Sequence, residues 1–351
     1  MRTGISIYFG TGIRRNEEIV ERAAEAGVSL AFTSMHIPEE SGVDYAREAR
    51  WLMGKLRDAG IGLIVDVGPR TYEKLGCERI EDLRELGITH IRLDYGFSAS
   101  QTAELSRTFR IVCNASTVTR EEVHAWRAAG ADLTKFSACH NYYPKRLSGL
   151  SLDAVRRMND RLMAFGFETM GFVPGDGELR GPLYEGLPTV EAHRDHAGSL
   201  ALNVLELAMD AGCDSVLVGD IDLSDSSWEV LRCLSQGYID TPCTFEPGYE
   251  YLRGQIHHDR PDSSALVFRS QESRTTLIPV HGVPVDEGTG EKRPVGTIAV
   301  SNSDYGRYEG ELEISRVDLP GDRRMNVAGT LDEEARKLLP YVRQGFGLRF
   351  V

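Results

Sequence analysis

Nowhere does this chain approach the roughly eighteen consecutive apolar residues that a membrane helix requires, and no basic segment leading into an apolar stretch and cleavage site opens it. A cytoplasmic protein without a membrane partner is therefore expected. Cysteine is sparse, at Cys77, Cys113, Cys139, Cys213, Cys233 and Cys243, with no CxxC pair among them. Three of these, Cys113, Cys139 and Cys213, fall in or near apolar runs where a thiol serves as a small hydrophobe, so all six read as reduced. Basic residues are also short: 40 Lys and Arg stand against 53 Asp and Glu, a net charge of -13. From Thr244 onward 14 basic residues face 17 acidic ones, a balance of -3 that leaves -10 for the first part. Nucleic acid, which needs a basic surface, is excluded as a partner by that field. A small anionic substrate would need a local cluster of donors.

What the chain does have is repetition. Along residues 1–240 a short apolar run followed by a longer amphipathic segment recurs eight times, with strands predicted at 4–9, 30–35, 62–67, 90–95, 110–114, 132–137, 168–173 and 215–219. Helical patterns at 16–26, 45–59, 120–129, 152–165 and 200–211 lie between them, and several segments end at a glycine (Gly27, Gly60, Gly87, Gly130, Gly166, Gly212) suited to a left-handed cap. Helix, glycine and buried strand in that order make the αβ half of a βαβ unit, and eight such units close a (β/α)8 barrel. An open doubly wound sheet is the competing architecture, but no GxGxxG follows the first strand.

After about residue 240 turn residues become dense and short alternating runs appear at 265–269, 277–280, 297–300, 312–317 and 348–351, with one helical pattern at 332–339. The chain thus reads as a barrel domain at 1–240 and a small β domain, barrel or sandwich, at 241–351.

In such a barrel the reactive groups project from the C-terminal ends of the strands. Those ends carry Ser34 and His36, Asp66, Asp94 and Tyr95, then Asn114 and Ser116, in strand order two to five. Strand six, taken to end near Lys135, leads to His140, Asn141, Tyr142 and Tyr143; strand seven leads to Asp176, Arg180, Gly181 and Glu185; strand eight leads to Asp220 and Asp222. Glycoside hydrolysis needs two carboxyl groups, one protonated and one ionised, and crowding several into a water-poor mouth separates their pKa values. Asp94 with one of Asp66, Asp176, Asp220 or Glu185 is the candidate pair. Tyr95, Phe97, Tyr142, Tyr143 and Tyr184 offer faces for sugar rings, and Arg180 beside Gly181 offers a guanidinium fork and a bare backbone N–H to a phosphate. Structural readings compete: Asp66 and Asp94 as helix caps or partners of Arg92, Asp220 and Asp222 as N-caps, His36 as a scaffold group, Arg180 in a salt bridge. The loop at 175–194 is long enough to be functional.

The segments GISIYFG, TSMHIPEE, DVGPRTYEKLG, IRLDYGFS, CNASTVT, KFSACHNYYP, RGPLYEGLPTVEAHR and VLVGDIDLS, taken in order, resemble the 6-phospho-N-acetylmuramidases of glycoside hydrolase family 170, a bacterial family once labelled "outer surface protein". The later RPVGTIAVSN and YVRQGFGLRFV are similar to that family's cyclophilin-like domain. The resemblance implies an exo-acting glycosidase that splits N-acetylmuramic acid 6-phosphate from N-acetylglucosamine in a cell-wall recycling disaccharide, with no metal and no cofactor. On the reading of the residues, Arg180, helped by the HNYYP loop and by Lys292 or Arg293 of the small domain, is expected to hold the phosphate. The small domain could cover the mouth or pair subunits into a homodimer. Two alternatives remain: a class I aldolase using Lys135 as a Schiff-base amine, and a non-catalytic sugar-phosphate binding protein.

Overall fold

The computed structural model describes residues 1–34, 45–68, 71–93, 96–274, 282–286 and 289–351. They form two compact units, Met1–Ser235 and Gln236–Val351. Among the described residues no helix is long and apolar enough to cross a membrane.

The first unit is a closed barrel of eight parallel strands in sequence order: β1 Arg2–Ser6, β2 Leu30–Ser34, β3 Gly62–Val67, β4 His90–Leu93, β5 Arg110–Asn114, β6 Phe136–Cys139, β7 Glu168–Val173 and β8 Ser215–Val218. Strand β1 pairs with both β2 and β8, which closes the ring and removes every free edge. The open doubly wound alternative is thereby excluded. All six glycines expected to cap helical segments have φ between +72° and +92°, a region closed to most residues with a Cβ. Two helices are fixed at their starts by reciprocal caps, Ser98 with Gln101 and Thr119 with Glu122.

Along the barrel axis Leu30, Phe32, Ile64, Val112, Cys139, Met170, Phe172 and Leu217 pack as one apolar plug. This layer separates the two ends of the barrel, so polar groups at either end face separate spaces. All six cysteines are unpaired. Burial pushes the thiols of Cys113, Cys139 and Cys213 up to about 12, so they act as inert packing groups.

Strand six differs from its expected span. Residues 133–135 form a 3-10 turn capped by Asp132, whose side chain accepts from the Thr134 N–H, and the strand starts only at Phe136. Lys135 therefore stands at the N-terminal end of β6, opposite the end where barrel chemistry occurs, and its ammonium donates to the Arg107 carbonyl at 3.3 Å. The aldolase reading, which needed that amine at the C-terminal end, is overturned.

The second unit has a five-stranded antiparallel sheet and a three-stranded one. The strands are β9 Tyr238–Thr241, β10 Cys243–Phe245, β11 Ile256–His258, β12 Val267–Arg269, β13 Thr297–Ser301, β14 Leu312–Ser315, β15 Met325–Leu331 and β16 Gly347–Phe350. The larger sheet runs β10-β15-β13-β14-β12 and the smaller β11-β16-β9. Because β9 pairs with the last strand, residues 238–240, expected in the barrel domain, belong here. A buried ion pair, Arg316 to Asp259 at 3.1 Å, holds the interior together, and the guanidinium also donates to the Leu339 and Val342 carbonyls. Arg293 lies 3.7 Å from Glu313. The run expected at 277–280 lies outside the described residues.

Candidate active site

At the C-terminal ends of strands two to six, side chains join into one polar wall. Parallel register sets Asp66 of β3 directly beside Arg92 of β4, and Arg92 Nη1 lies 3.2 Å from Asp66 Oδ1. Both are nearly buried, Asp66 at 8% and Arg92 at 4% exposure, so each charge depends on the other for compensation. Ser34 Oγ donates to Asp66 Oδ2 at 3.4 Å. Arg92 Nη2 donates to Asn141 Oδ1, which also accepts from Asn114 Nδ2 at 3.3 Å. Asn114 Oδ1 in turn accepts the Ser116 N–H at 3.1 Å. Ser34, Asp66, Asn114, Ser116 and Asn141, named from the sequence, thus lie in one connected array, with Arg92 as its hub.

His140 is fully buried, and both ring nitrogens are taken by the protein. Asn159 uses its amide N–H on the Ala211 carbonyl, so its Oδ1 accepts from His140 Nε2 at 2.9 Å. That leaves His140 Nδ1 to accept from Ser116 Oγ at 3.2 Å. Burial lowers its pKa to about 4, so the ring is neutral. Contrary to the sequence-based expectation of a ligand contact, this histidine is a brace that orients Ser116.

Tyr142 packs edge-on against Phe32 and Phe172, with ring centroids 6.2 and 5.2 Å away, so its ring caps the apolar plug. Its hydroxyl interacts with that of Tyr8, and burial raises both phenols above their ordinary value. Tyr8 donates to the Gly219 carbonyl at 2.5 Å, and the Arg180 guanidinium lies over its ring, 4.5 Å from the centroid. Arg180 is therefore held by a cation–π contact, with no salt bridge to it among the described residues. Arg180, Arg92 and Asp66 all lie near enough to Tyr142 for their charges to act on its hydroxyl. Tyr143 contributes backbone: its N–H donates to the Pro188 carbonyl at 2.9 Å.

The long loop after β7 is ordered by carboxylates. Asp220 Oδ2 accepts the N–H groups of Gly175 (2.9 Å) and Leu187 (3.0 Å), and Oδ1 accepts that of Arg180 (3.0 Å). Desolvation raises the Asp220 pKa despite these three donors. Asp176 accepts from the Ser224 N–H and from the hydroxyls of Ser224 and Ser227 at 2.8–2.9 Å. Asp222 receives Arg15 at 2.5 Å, the Trp228 indole at 2.7 Å and the Leu223 N–H at 2.7 Å. Both oxygens of all three are occupied: Asp176 and Asp220 tie the loop after β7 to the loop after β8, and Asp222 ties the latter to Arg15. The chains approach so closely that a Cβ on Gly175 would lie 2.6 Å from the Asp222 carbonyl oxygen, and one on Gly219 2.3 Å from that of Leu187.

Glu185 is exposed, and its carbonyl accepts from Arg194 at 2.8 Å. Gly181 lies against Tyr184, whose ring a Cβ there would meet at 3.1 Å. Arg194 also donates to the Gly186 and Tyr143 carbonyls and to Glu191, which stitches loop seven to loop six. His36, Asp94 and Tyr95 lie outside the described residues.

Sequence reasoning missed Tyr8, Asn159, Thr189, Glu191 and Arg194. Thr189 accepts the Phe172 N–H and donates to the Asn141 carbonyl, both at 2.9 Å, so it bridges β7 to the HNYYP segment. The only local signal was at Tyr8, which follows the apolar run of the first strand as Asp94 follows that of the fourth.

Family profiles match the sequence of both units. A family profile described as "6-phospho-N-acetylmuramidase, N-terminal" matches residues 3–233, and one described as "6-phospho-N-acetylmuramidase, C-terminal" matches residues 244–351. No curated protein matches the sequence. Among solved structures, the chain is similar to a conserved Enterococcus faecalis protein of unknown function, with 30% identity, a TM-score of 0.73 and coverage of 100% of this chain and 96% of that one. It is also similar to an uncharacterized B. cereus protein, with 25% identity, a TM-score of 0.71 and coverage of 100% and 99%.

Proposed function

Since the chain belongs to the 6-phospho-N-acetylmuramidase family, matched over both of its units, we propose that it is an exo-acting, cytoplasmic glycosidase. Its substrate in this reading is a disaccharide from cell-wall recycling, cleaved between N-acetylmuramic acid 6-phosphate and N-acetylglucosamine. The observation that carries the proposal is one barrel mouth holding a nearly buried carboxylate, Asp66, an aromatic ring, Tyr142, and two guanidinium groups, Arg92 and Arg180.

Each group has a role that its surroundings favour. A carboxylate beside a guanidinium is favoured in its ionised form, the state of a base or nucleophile, so Asp66 takes that part and Asp94 the part of the acid. Arg180 grips the phosphate, since a guanidinium stacked on Tyr8 keeps its N–H donors for a ligand. Asn114, Asn141, Ser34 and Ser116 meet sugar hydroxyls and the acetamido group. Asp176, Asp220 and Asp222, whose partners are the groups that order the loops after β7 and β8, are positioning residues.

The test is release of a chromophore from a glycoside of N-acetylmuramic acid, with and without the 6-phosphate. Asp94→Asn lowers kcat by about 10²–10⁴ with the fold retained, and Asp66→Asn lowers it by a similar factor with a loss of stability as well, because Arg92 loses its counter-charge. Arg180→Ala lowers kcat/KM about 10- to 100-fold for the phosphorylated substrate alone. Near-normal turnover by Asp94→Asn, or equal losses of Arg180→Ala on both substrates, overturns the assignment.

A further inference from the structure

The opposite end of the barrel is polar as well. Beneath the apolar plug, at the N-terminal ends of the strands, lies a cavity of about 490 Å³ whose lining includes Arg2, His90, Arg110, Lys135, Ser137 and Glu168. These side chains belong to the starts of β1, β4, β5, β6 and β7, so the cavity sits on the barrel axis. Met170 forms part of both the cavity and the plug, which closes it off from the mouth.

The charges here are unbalanced. Arg2 is neutralised by Glu168 at 2.5 Å and also donates to Ser215 Oγ. Arg110 and Lys135 make no ion pair among the described residues. Lys135 is near enough to Asp132 for the two charges to interact, and its ammonium donates to the Arg107 carbonyl. Beyond the Arg2–Glu168 pair the cavity wall carries two further cations, the exposed Arg110 and the half-buried Lys135, in a chain whose net charge is -13. His90 senses that field: burial first, then Arg110 and Arg2, lower its pKa to about 4. Its Nδ1 is bonded to Thr89 Oγ1 at 2.8 Å, so the ring is fixed in place.

The N-terminal face of such a barrel usually serves stability, and here Arg2 and Glu168 pair across it. Arg110 and Lys135, two cations on the wall of one cleft, concentrate anions there. A bare phosphate would leave most of the volume unfilled, whereas a cavity of this size lies in the range that holds a small metabolite. Ser29, Thr134 and Ser137 in its wall supply hydroxyl groups for a polyhydroxylated body.

We propose that this floor cavity is a second ligand site, separate from the catalytic mouth, which binds a monosaccharide phosphate with its phosphate on Arg110 and Lys135 beside His90. Occupancy brings a dianion next to His90 and favours the imidazolium.

The test uses glucose 6-phosphate and inorganic phosphate as probes, with binding followed by calorimetry and the His90 ring followed by NMR. Glucose 6-phosphate binds saturably, at least about tenfold more tightly than phosphate, and moves the His90 titration upward from about 4. The double variant Arg110→Ala/Lys135→Ala, which breaks no ion pair among the described residues, keeps its melting temperature and basal activity but loses that binding and the His90 shift. Arg180→Ala keeps both. Binding lost in Arg180→Ala but retained in the double variant places the ligand at the mouth and overturns the proposal. Phosphate binding as tightly as the sugar phosphate, or a His90 titration that neither probe moves, overturns it too.

Discussion

Glu191 shows what a single residue does for the site without touching a substrate. Its carboxylate accepts from Arg194 at 2.9 and 3.2 Å and from the N–H groups of Leu147 and Gly149, both at 2.8 Å. The Arg194 bond, ahead of the two backbone donors, holds its carboxyl at about 2, below the ordinary 4.5. The Arg194 side chain is 2% exposed, so removing its partner leaves a buried charge. Glu191→Gln is expected to destabilise the barrel by about 1.5–3 kcal/mol at neutral pH. A carboxyl depressed in the fold contributes stability that is complete above pH 4.5 and is lost as pH falls towards 2. Thermal melts of both proteins between pH 7 and pH 2.5 check this: the gap between them narrows only below about pH 4.5, and a gap that stays constant excludes ionic stabilisation. Residues of this kind are where the sequence was least legible. Asp66, Asp176, Asp220 and Asp222 look alike in the chain, each following an apolar run. Their partners differ, and for Asp222 the partner is Arg15, 207 positions away.

At the level of elements, strands β3, β5 and β7 run as their apolar patterns predict, because a strand buried in a parallel sheet is a continuous apolar run. β6 does not, because Asp132 takes the Thr134 N–H into a local turn that competes with strand pairing. Loop seven was legible as a functional loop from its length, but what orders it was not. Asp220 collects three N–H groups spread over residues 175–187, and this convergence exists only once β7 and β8 are side by side. Asp220→Asn turns one acceptor oxygen into an N–H donor that faces backbone donors. Each lost bond leaves a buried N–H, at about 1–3 kcal/mol. The expected result is faster protease cleavage within 175–187, by about tenfold or more, together with a higher KM for the phosphorylated glycoside as Arg180 loses its anchor. Unchanged cleavage with a lower kcat alone would instead assign Asp220 to the chemistry.

For the whole molecule, the two-unit organisation was legible in the change of texture, while the exact boundary was not. The pairing of β9 with β16 joins residues 109 positions apart, and no local pattern encodes it. Charge at this scale yields a pH dependence. His90 and His140 in the first unit and His257 in the second are each lowered by burial to about 4 from 6.5. A histidine depressed in the fold binds its proton in the unfolded chain first, so the stability it contributes is complete above pH 6.5, falls between 6.5 and 4, and is level below. Asp220, raised by burial, works in the opposite sense towards the acid end of that window. Two histidines give the barrel unit a slope of up to about 2.7 kcal/mol per pH unit, and one gives the second unit about half that. Calorimetry from pH 7 to pH 4 should therefore show the barrel transition falling more steeply than that of the second unit. His90→Gln removes one of the barrel's two titrations and should bring the slopes close together. Parallel slopes in the native protein would mean that the two barrel histidines charge within the fold, and would remove the physical basis for reading His140 as a neutral brace.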